Sequence, residues 1–232
     1  MIDWHSHILP GVDDGSRNVE ESISILNMQM LQGVKTVVAT PHFLANDDSV
    51  ESFLERREKS YDELKNHLPE NSPEILLGAE VKYYNGISKM ADLHKLKIEN
   101  SKLLLLEMPI SKWTEYTVRE LTELSCKGNM KIILAHIERY LSLQRQGVWE
   151  MLFENGILFQ VNASFFTSFM TKHKAISLLR EGMIHFVGSD CHNITSRAPK
   201  IDTAFDVIKK KFGDDYIEQM NKYGYSLFEK TN

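Results

Sequence analysis

Several features are scarce in this chain of 232 residues, beginning with cysteine. Its only two cysteines, Cys126 and Cys191, do not form a spaced disulfide framework, which favours a reducing, cytoplasmic compartment. No apolar run has membrane-spanning length, which argues against membrane insertion. The first candidate ligand, His5, leaves no room for a signal peptide, so we also expect no secretion.

The sequence also lacks an excess of basic residues. It has 27 lysines and arginines, 32 acidic residues and a net charge of −5. The chain therefore lacks the excess positive charge that is typical of proteins that bind nucleic acid. A hydrophobic content of 42% and a charged content of 25% are typical of a globular protein. With no linker, repeat or low-complexity segment, we expect residues 1–232 to form a single domain.

Short apolar runs alternate with helical segments seven times. The predicted strands are 1–8, 36–40, 74–80, 103–107, 131–135, 157–162 and 185–190. The predicted helices are 18–33, 48–67, 87–97, 115–127, 145–155, 173–181, 202–212 and 214–223. Continuous apolar runs indicate strands covered on both faces, hence a parallel sheet with helices outside. The pattern predicts a closed or nearly closed α/β barrel with its site at the carboxyl ends of the strands.

The first strand carries a possible metal-binding pair. His5 and His7 are two residues apart, so on a strand both imidazoles point to the same side. A Pro-Gly turn and the paired carboxylates Asp13 and Asp14 follow. Taken alone, the stretch is equally consistent with a solvated histidine pair beside an acidic turn.

Side chains of the types that bind metals recur at the ends of the later strands, and this recurrence favours the metal-binding pair over the solvated pair. They are His5, His7, His42, Glu80, Glu107, His136, Asp190 and His192. In a parallel barrel these ends converge on one mouth. Asp14, Glu80, Glu107 and Asp190 would repel one another there unless cations neutralised them, so we expect two or three divalent ions. The mixture of imidazole and carboxylate favours Mn²⁺, Fe²⁺ or Zn²⁺ over Ca²⁺. Surface or structural roles are expected for the remaining histidines, His67, His94, His173 and His185.

Such a cluster favours hydrolysis of a phosphate ester. Clustered metals generate hydroxide near neutral pH and clamp the oxygens of an in-line displacement. Arg139 and Arg197 follow the last two groups of ligands, and a guanidinium fork matches phosphate oxygens, although either could be a surface charge. Asp190 or His192 is a candidate to protonate the leaving group.

The opening motif Asp-x-His-x-His-x-Leu-Pro-Gly-x-Asp-Asp-Gly resembles the polymerase and histidinol phosphatase (PHP) superfamily. It is most similar to the manganese-dependent protein-tyrosine phosphatases of bacterial capsule and exopolysaccharide operons, the CpsB/YwqE type. The other matching motifs are Thr40-Pro41-His42, Gly78-Ala79-Glu80, Glu107-Met108-Pro109, Ala135-His136-Ile137-Glu138-Arg139-Tyr140, Gln160-Val161-Asn162 and Gly188-Ser189-Asp190-Cys191-His192.

The resemblance implies a distorted (β/α)7 barrel, the PHP fold, with three metals at its mouth. The metal ligands that it implies are His5, His7, Asp14, His42, Glu80, Glu107, His136, Asp190 and His192. It implies that Arg139 and Arg197 bind phosphate and that Glu80 bridges metals. The implied partner is the phosphotyrosine-bearing tail of a bacterial tyrosine kinase. The chain departs from the pattern at Ile137 and Cys191, but neither change removes a ligand.

Two other functions are compatible with these motifs. One is a small-molecule phosphatase acting on a substrate such as histidinol phosphate, and the other is a metal-binding accessory protein without catalysis. The intact ligand set argues against the accessory protein.

A thiol mechanism is a further alternative because Cys191 and Arg197 have the Cys-x-x-x-x-x-Arg spacing of cysteine-dependent tyrosine phosphatases. The residues between them include no glycine, and Asp190 opposes thiolate formation, so we expect Cys191 not to be the nucleophile. Aromatic residues near the mouth could stack on a phosphotyrosyl ring or simply pack in the loops. They are Phe43, Tyr83, Trp113, Tyr140, Phe165 and Phe166.

Overall fold

A computed structural model describes residues 1–126 and 130–229 of the chain. Nine strands follow in chain order: β1 (Ile2–Ser6), β2 (Thr36–Ala39), β3 (His42–Phe43), β4 (Glu74–Leu77), β5 (Glu80–Lys82), β6 (Leu103–Glu107), β7 (Lys131–Leu134), β8 (Leu158–Asn162) and β9 (Phe186–Gly188). The α-helices are α1 (Val19–Leu31), α2 (Val50–Lys65), α3 (Glu115–Cys126), α4 (Gln146–Glu154), α5 (Ala163–Thr167), α6 (Lys172–Arg180), α7 (Ile201–Phe212) and α8 (Asp214–Ser226).

Within residues 1–126 and 130–229, all pairs of these strands are parallel, and they form two sheets. The first sheet has the order β1-β2-β4, and the second has the order β3-β5-β6-β7-β8-β9. The predicted run 36–40 corresponds to β2, and the short strand β3 that follows it was not predicted. The predicted run 74–80 is interrupted, so that β4 continues as β5. Pro41, which has no N–H for a ladder, separates β2 from β3, and Gly78 separates β4 from β5. At each of these two breaks the chain passes from the first sheet into the second.

Hydrogen bonds hold the first strand beside the segment that follows the last strand. Asp190 N donates to His5 O at 2.8 Å, and His7 N donates to Cys191 O at 2.9 Å. The buried carboxylate of Asp3 accepts the backbone N–H of Ser189 at 2.7 Å. The result is one α/β domain in which parallel sheets curl into a half-barrel, rather than a single uninterrupted seven-stranded ladder.

The helices agree with most of the sequence-based assignments. Asn18 caps α1 by accepting the N–H of Glu21 at 2.9 Å, and Gly33 follows the helix with a φ of 82°. The predicted helix 87–97 is instead two 3-10 turns, Ile87–Lys89 and Leu93–Leu96, and the short helix α5 was not predicted. The helix predicted over residues 115–127 is α3, and its predicted last residue, 127, lies outside the described residues. Within the described residues, no helix has the length and hydropathy needed to cross a membrane.

The six aromatic residues proposed as stacking groups lie in the interior of the protein. Phe43, Tyr83, Trp113, Tyr140, Phe165 and Phe166 are all buried, with exposed fractions between 0% and 9%. They pack in the core, so the interpretation as a stacking surface at the mouth is wrong and the packing interpretation is correct.

Candidate metal centre

The carboxyl ends of the strands bring all nine candidate ligands together. Their donor atoms form four overlapping groups, each with every pair of donors within 4.8 Å. The groups are His7-Asp14-His42-His192, His5-His7-Asp190, His5-Glu80-His136 and His42-Glu80-Glu107. Shared members join the groups, so the candidate sites form one continuous cluster.

Glu80 lies at the centre of this cluster and is 1% exposed. Its Oε1 lies 2.8 Å from His136 Nε2, while its Oε2 lies 3.2 Å from His5 Nε2 and 2.9 Å from His42 Nδ1. Oε2 is also 3.4 Å from His7 Nε2. One carboxylate thus faces four imidazoles, which is the placement expected of a bridging ligand.

Four of the five histidines place Nε2 in the cluster and engage Nδ1 elsewhere. The Nδ1 contacts are His7 to Asp13 Oδ2 at 2.6 Å, His5 to Gln160 Oε1 at 3.3 Å, His136 to Tyr140 Oη at 3.1 Å and His192 to Asp190 O at 3.0 Å. Metal-binding histidines characteristically use the second nitrogen in this way, which fixes the ring and its tautomer. The arrangement leaves Nε2 of these rings available to a cation.

Two buried donors lack hydrogen bonds among the described residues. Glu80 Oε2 has histidine nitrogens nearby but accepts no hydrogen bond of acceptable geometry, and His192 Nε2 forms no hydrogen bond, although Asp14 Oδ1 lies 3.4 Å away. Buried polar atoms without partners are costly, and a divalent cation would satisfy both. In addition, Nε2 of His5 and Nε2 of His7 face each other at 3.0 Å. The residues present therefore fit a metal centre of imidazole and carboxylate ligands.

The electrostatics of the cluster are strongly coupled. Burial alone would lower the pKa of His5, but the carboxylates of Glu80 and Asp190 outweigh burial and raise it. Burial would raise the pKa of Asp190, yet the charges of His5 and His7 lower it well below its usual range. The pocket thus stabilises anionic carboxylates through neighbouring positive charge, a role that bound cations would share.

Both candidate phosphate-binding arginines contact Asp190. Arg139 Nη2 donates to Asp190 Oδ2 at 2.6 Å, and Arg197 Nη2 donates to Oδ1 at 2.8 Å. Asn162 Nδ2 also donates to Oδ2 at 2.8 Å. Both guanidinium groups are partly exposed at the edge of the buried cluster, so they can face a ligand that enters from the mouth.

The backbone is specialised where two of the candidate ligands lie. His136 and Asp190 have left-handed φ angles of 33° and 51°, a conformation that residues other than glycine seldom adopt. Gly188 passes so close to the first strand that an added Cβ would lie 2.6 Å from His5 Cβ. Local strain and close backbone approach therefore coincide with the cluster.

Sequence reasoning missed the groups that orient the ligands. Asp13 was noted only as part of an acidic pair, yet it binds His7 and accepts His42 N at 2.9 Å. Gln160 Oε1 accepts His136 N at 2.7 Å as well as contacting His5. The Gln160-Val161-Asn162 motif was the available signal, since two polar residues end an otherwise apolar strand.

The structure argues against the thiol mechanism. Cys191 is 0% exposed, and burial raises the pKa of its thiol above the usual range. A buried thiol that resists ionisation is a poor nucleophile. The histidines assigned elsewhere also behave as expected: His67, His94 and His173 are exposed, and His185 accepts Phe159 N at 3.0 Å.

Comparison with known proteins agrees with the resemblance seen in the motifs. The chain is 31% identical over 222 residues to tyrosine-protein phosphatase YwqE of Bacillus subtilis, covering 93% of this chain and 86% of the relative. It is 33% identical over 231 residues to tyrosine-protein phosphatase CpsB of Streptococcus pneumoniae, covering 92% of this chain and 91% of the relative.

A solved structure agrees as well. It comes from work on YwqE from Bacillus subtilis and CpsB from Streptococcus pneumoniae, described as unique metal-dependent tyrosine phosphatases. It superimposes with a TM-score of 0.84 at 26% identity, covering 98% of this chain and 94% of the other. The family described as "Capsular polysaccharide synthesis, CpsB/CapC" matches residues 1–223. The chain therefore belongs to the CpsB/CapC family.

Proposed function

We propose that this protein is a metal-dependent protein-tyrosine phosphatase. The observation that carries the proposal is the set of four histidines whose Nε2 atoms lie among the carboxylates of Glu80, Asp190 and Asp14 while their Nδ1 atoms are engaged elsewhere. The relatives named tyrosine-protein phosphatases support the same function.

Different residues have different roles in the proposed hydrolysis of the phosphate ester. Divalent ions held by the nine ligands would supply a nucleophile from water and neutralise charge on the phosphoryl group. Arg139 and Arg197 would bind non-bridging oxygens, since both lie at the exposed edge of the cluster against Asp190. Asp190 or His192 would orient the water that hands a proton to the departing phenolate, because the pKa of each side chain is lowered and neither holds a spare proton near neutral pH. A phenolate, with a conjugate acid pKa of about 10, needs less help than an alkoxide, which favours an aryl ester.

The finer assignments belong to the same proposal. The ions are two or three in number, with Mn²⁺ preferred and Fe²⁺ or Zn²⁺ also compatible with the ligands. The substrate is the phosphotyrosine-bearing tail of a bacterial tyrosine kinase that regulates capsule or exopolysaccharide synthesis, and the protein acts in the cytoplasm. Residues 1–232 form one PHP-type domain, whose two sheets together make the distorted (β/α)7 barrel.

Hydrolysis of a phosphotyrosyl peptide in the presence of Mn²⁺ tests the function. We expect turnover by the wild-type protein, loss of at least about 100-fold in Glu80→Gln, and no change in Glu70→Gln, whose side chain is exposed. Histidinol phosphate at equal concentration is the matched small-molecule substrate. Faster turnover of histidinol phosphate, or no turnover of either by folded, metal-loaded protein, would overturn the proposal.

A further inference from the structure

Two cavities of opposite charge lie against the metal cluster. One, here called the cationic cavity, has a volume of about 220 Å³ and includes Arg139, Arg197, Lys200 and Asp190 in its wall. The other, called the acidic cavity, has a volume of about 370 Å³. Its charged wall residues are Asp13, Asp14, Asp47, Asp48 and Arg56. Three cations and one carboxylate therefore line the cationic cavity, and four carboxylates and one cation line the acidic cavity, with Arg197 Nη1 of the first 3.9 Å from Asp14 Oδ2 of the second.

The cationic cavity opens directly on the candidate reaction site. Asp190 is both a wall residue of the cavity and a member of the His5-His7-Asp190 donor group. Arg139 and Arg197 share this carboxylate, with one guanidinium on each oxygen. A phosphoryl group held by the two arginines would therefore lie at the border between the cluster and the cavity.

Lys200 contributes a charge that the phosphoryl site does not use. Its side chain is exposed, and it forms no ion pair with any residue of 1–126 or 130–229. It precedes α7, where its backbone carbonyl accepts Thr203 Oγ1 at 2.7 Å, so the start of the helix fixes its place on the cavity wall. A lysine ammonium without a partner can attract an anion as a compact point charge.

We infer that the cationic cavity is a subsite for a side-chain carboxylate that the substrate carries beside its phosphotyrosine, and that Lys200 determines this specificity. The inference rests on the proposed function, because it names the flanking chemistry of the same substrate. The acidic cavity disfavours a carboxylate, so the flank of the phosphotyrosine that enters the cationic cavity is the one that benefits from an acidic residue. The opposite charges of the two cavities thus orient the peptide.

Three peptides test the inference, with glutamate directly before phosphotyrosine, directly after it, or replaced by alanine at both positions. With wild-type protein and Mn²⁺, we expect one glutamate peptide to exceed the alanine peptide in kcat/KM by about two- to fivefold. Lys200→Gln removes this preference and leaves turnover of the alanine peptide unchanged, whereas Lys200→Arg retains the preference. Lys210→Gln, an exposed lysine at the other end of α7, behaves as wild type. The absence of any glutamate preference, or its persistence in Lys200→Gln, would overturn the inference.

Binding of the same peptides, followed by fluorescence anisotropy, separates this inference from the proposed function. Glutamate-dependent binding that needs Lys200, without hydrolysis, would support the subsite and contradict the phosphatase. Hydrolysis of all three peptides at equal rates in wild type and Lys200→Gln would support the phosphatase and contradict the subsite. Thermal unfolding of each variant checks that the fold is retained.

Discussion

The imidazole of His7 donates from Nδ1 to Asp13 Oδ2 over 2.6 Å. The same oxygen accepts the backbone N–H of His42 at 2.9 Å, and Asp13 Oδ1 accepts Gly15 N at 2.9 Å. One carboxylate therefore orients the candidate ligand that directly follows the first strand and fixes the backbone of another ligand. This explains why two acidic residues follow the Pro-Gly turn: Asp13 positions the ligands, while Asp14 belongs to a donor group itself.

Replacing Asp13 tests this positioning role. In Asp13→Asn the side chain has only one oxygen for three donors, so His7 or the backbone loses its partner. We expect Mn²⁺ affinity to fall by about 10- to 100-fold, as measured by isothermal titration calorimetry. Asp47→Asn is the matched control, because Asp47 is exposed in the neighbouring loop. Equal Mn²⁺ affinities of the two variants would show that Asp13 does not orient a ligand.

The close approach of Gly188 to the first strand gives a second prediction. In Gly188→Ala the new Cβ would lie 2.6 Å from His5 Cβ and 2.9 Å from His5 N, so the strands must separate. We expect the free energy of unfolding in urea to fall by about 1–3 kcal/mol. Gly147→Ala in α4, where a Cβ meets nothing within 4 Å, should be neutral or slightly stabilising. Equal unfolding midpoints for the two variants would contradict the packing account.

The pH dependence of stability tests the environment of His185. Burial lowers its pKa to about 4, and its Nδ1 accepts Phe159 N. Between pH 6.5 and 4 the unfolded chain binds a proton that the folded protein does not, so the free energy of unfolding falls as the pH falls through this window. Asparagine does not titrate but can still accept from Phe159 N. We therefore expect the free energy of unfolding of His185→Asn to fall by about 1–3 kcal/mol less than that of wild type between pH 6.5 and 4. Parallel acid profiles of the two proteins in urea unfolding would be the contrary result.

A cysteine substitution and metal chelation together distinguish a thiol nucleophile from a metal-dependent mechanism. Cys191→Ala removes a buried sulfur that burial already keeps protonated, so we expect kcat to change by less than about twofold. EDTA should abolish hydrolysis of a phosphotyrosyl peptide in both proteins, and added Mn²⁺ should restore it. Activity that survives EDTA and disappears in Cys191→Ala would point to a thiol mechanism.

Much of the site could be predicted from the sequence because it follows from strand geometry. The spacing of His5 and His7 predicts one face of a strand, although β1 ends at Ser6, and the later ligands each follow an apolar run that ends at the same rim. A ligand such as His136 is therefore located by its position after a strand, without knowledge of its contacts. The CpsB/CapC family assignment, suggested by the same motifs, was confirmed.

The remaining features depend on contacts between distant parts of the chain. Gln160 contacts His5 and the backbone of His136, and neither pairing is visible in local periodicity. The strand β3 beyond Pro41 was not predicted, and it joins the second sheet whereas β2 belongs to the first, because a missing N–H changes the hydrogen-bond ladder rather than the hydrophobic pattern. Tyr140 likewise looked available for stacking, but its hydroxyl lies beside His136 Nδ1 within the core.

Anomalous diffraction from crystals grown with Mn²⁺ tests the central claim most directly. We expect two or three anomalous peaks within coordination distance of the nine ligands, one of them beside Glu80 and His136, and we expect the peak beside His7 to weaken in Asp13→Asn. Manganese bound only elsewhere on the protein, or no peak near Glu80 in crystals that contain the ion, would contradict the account.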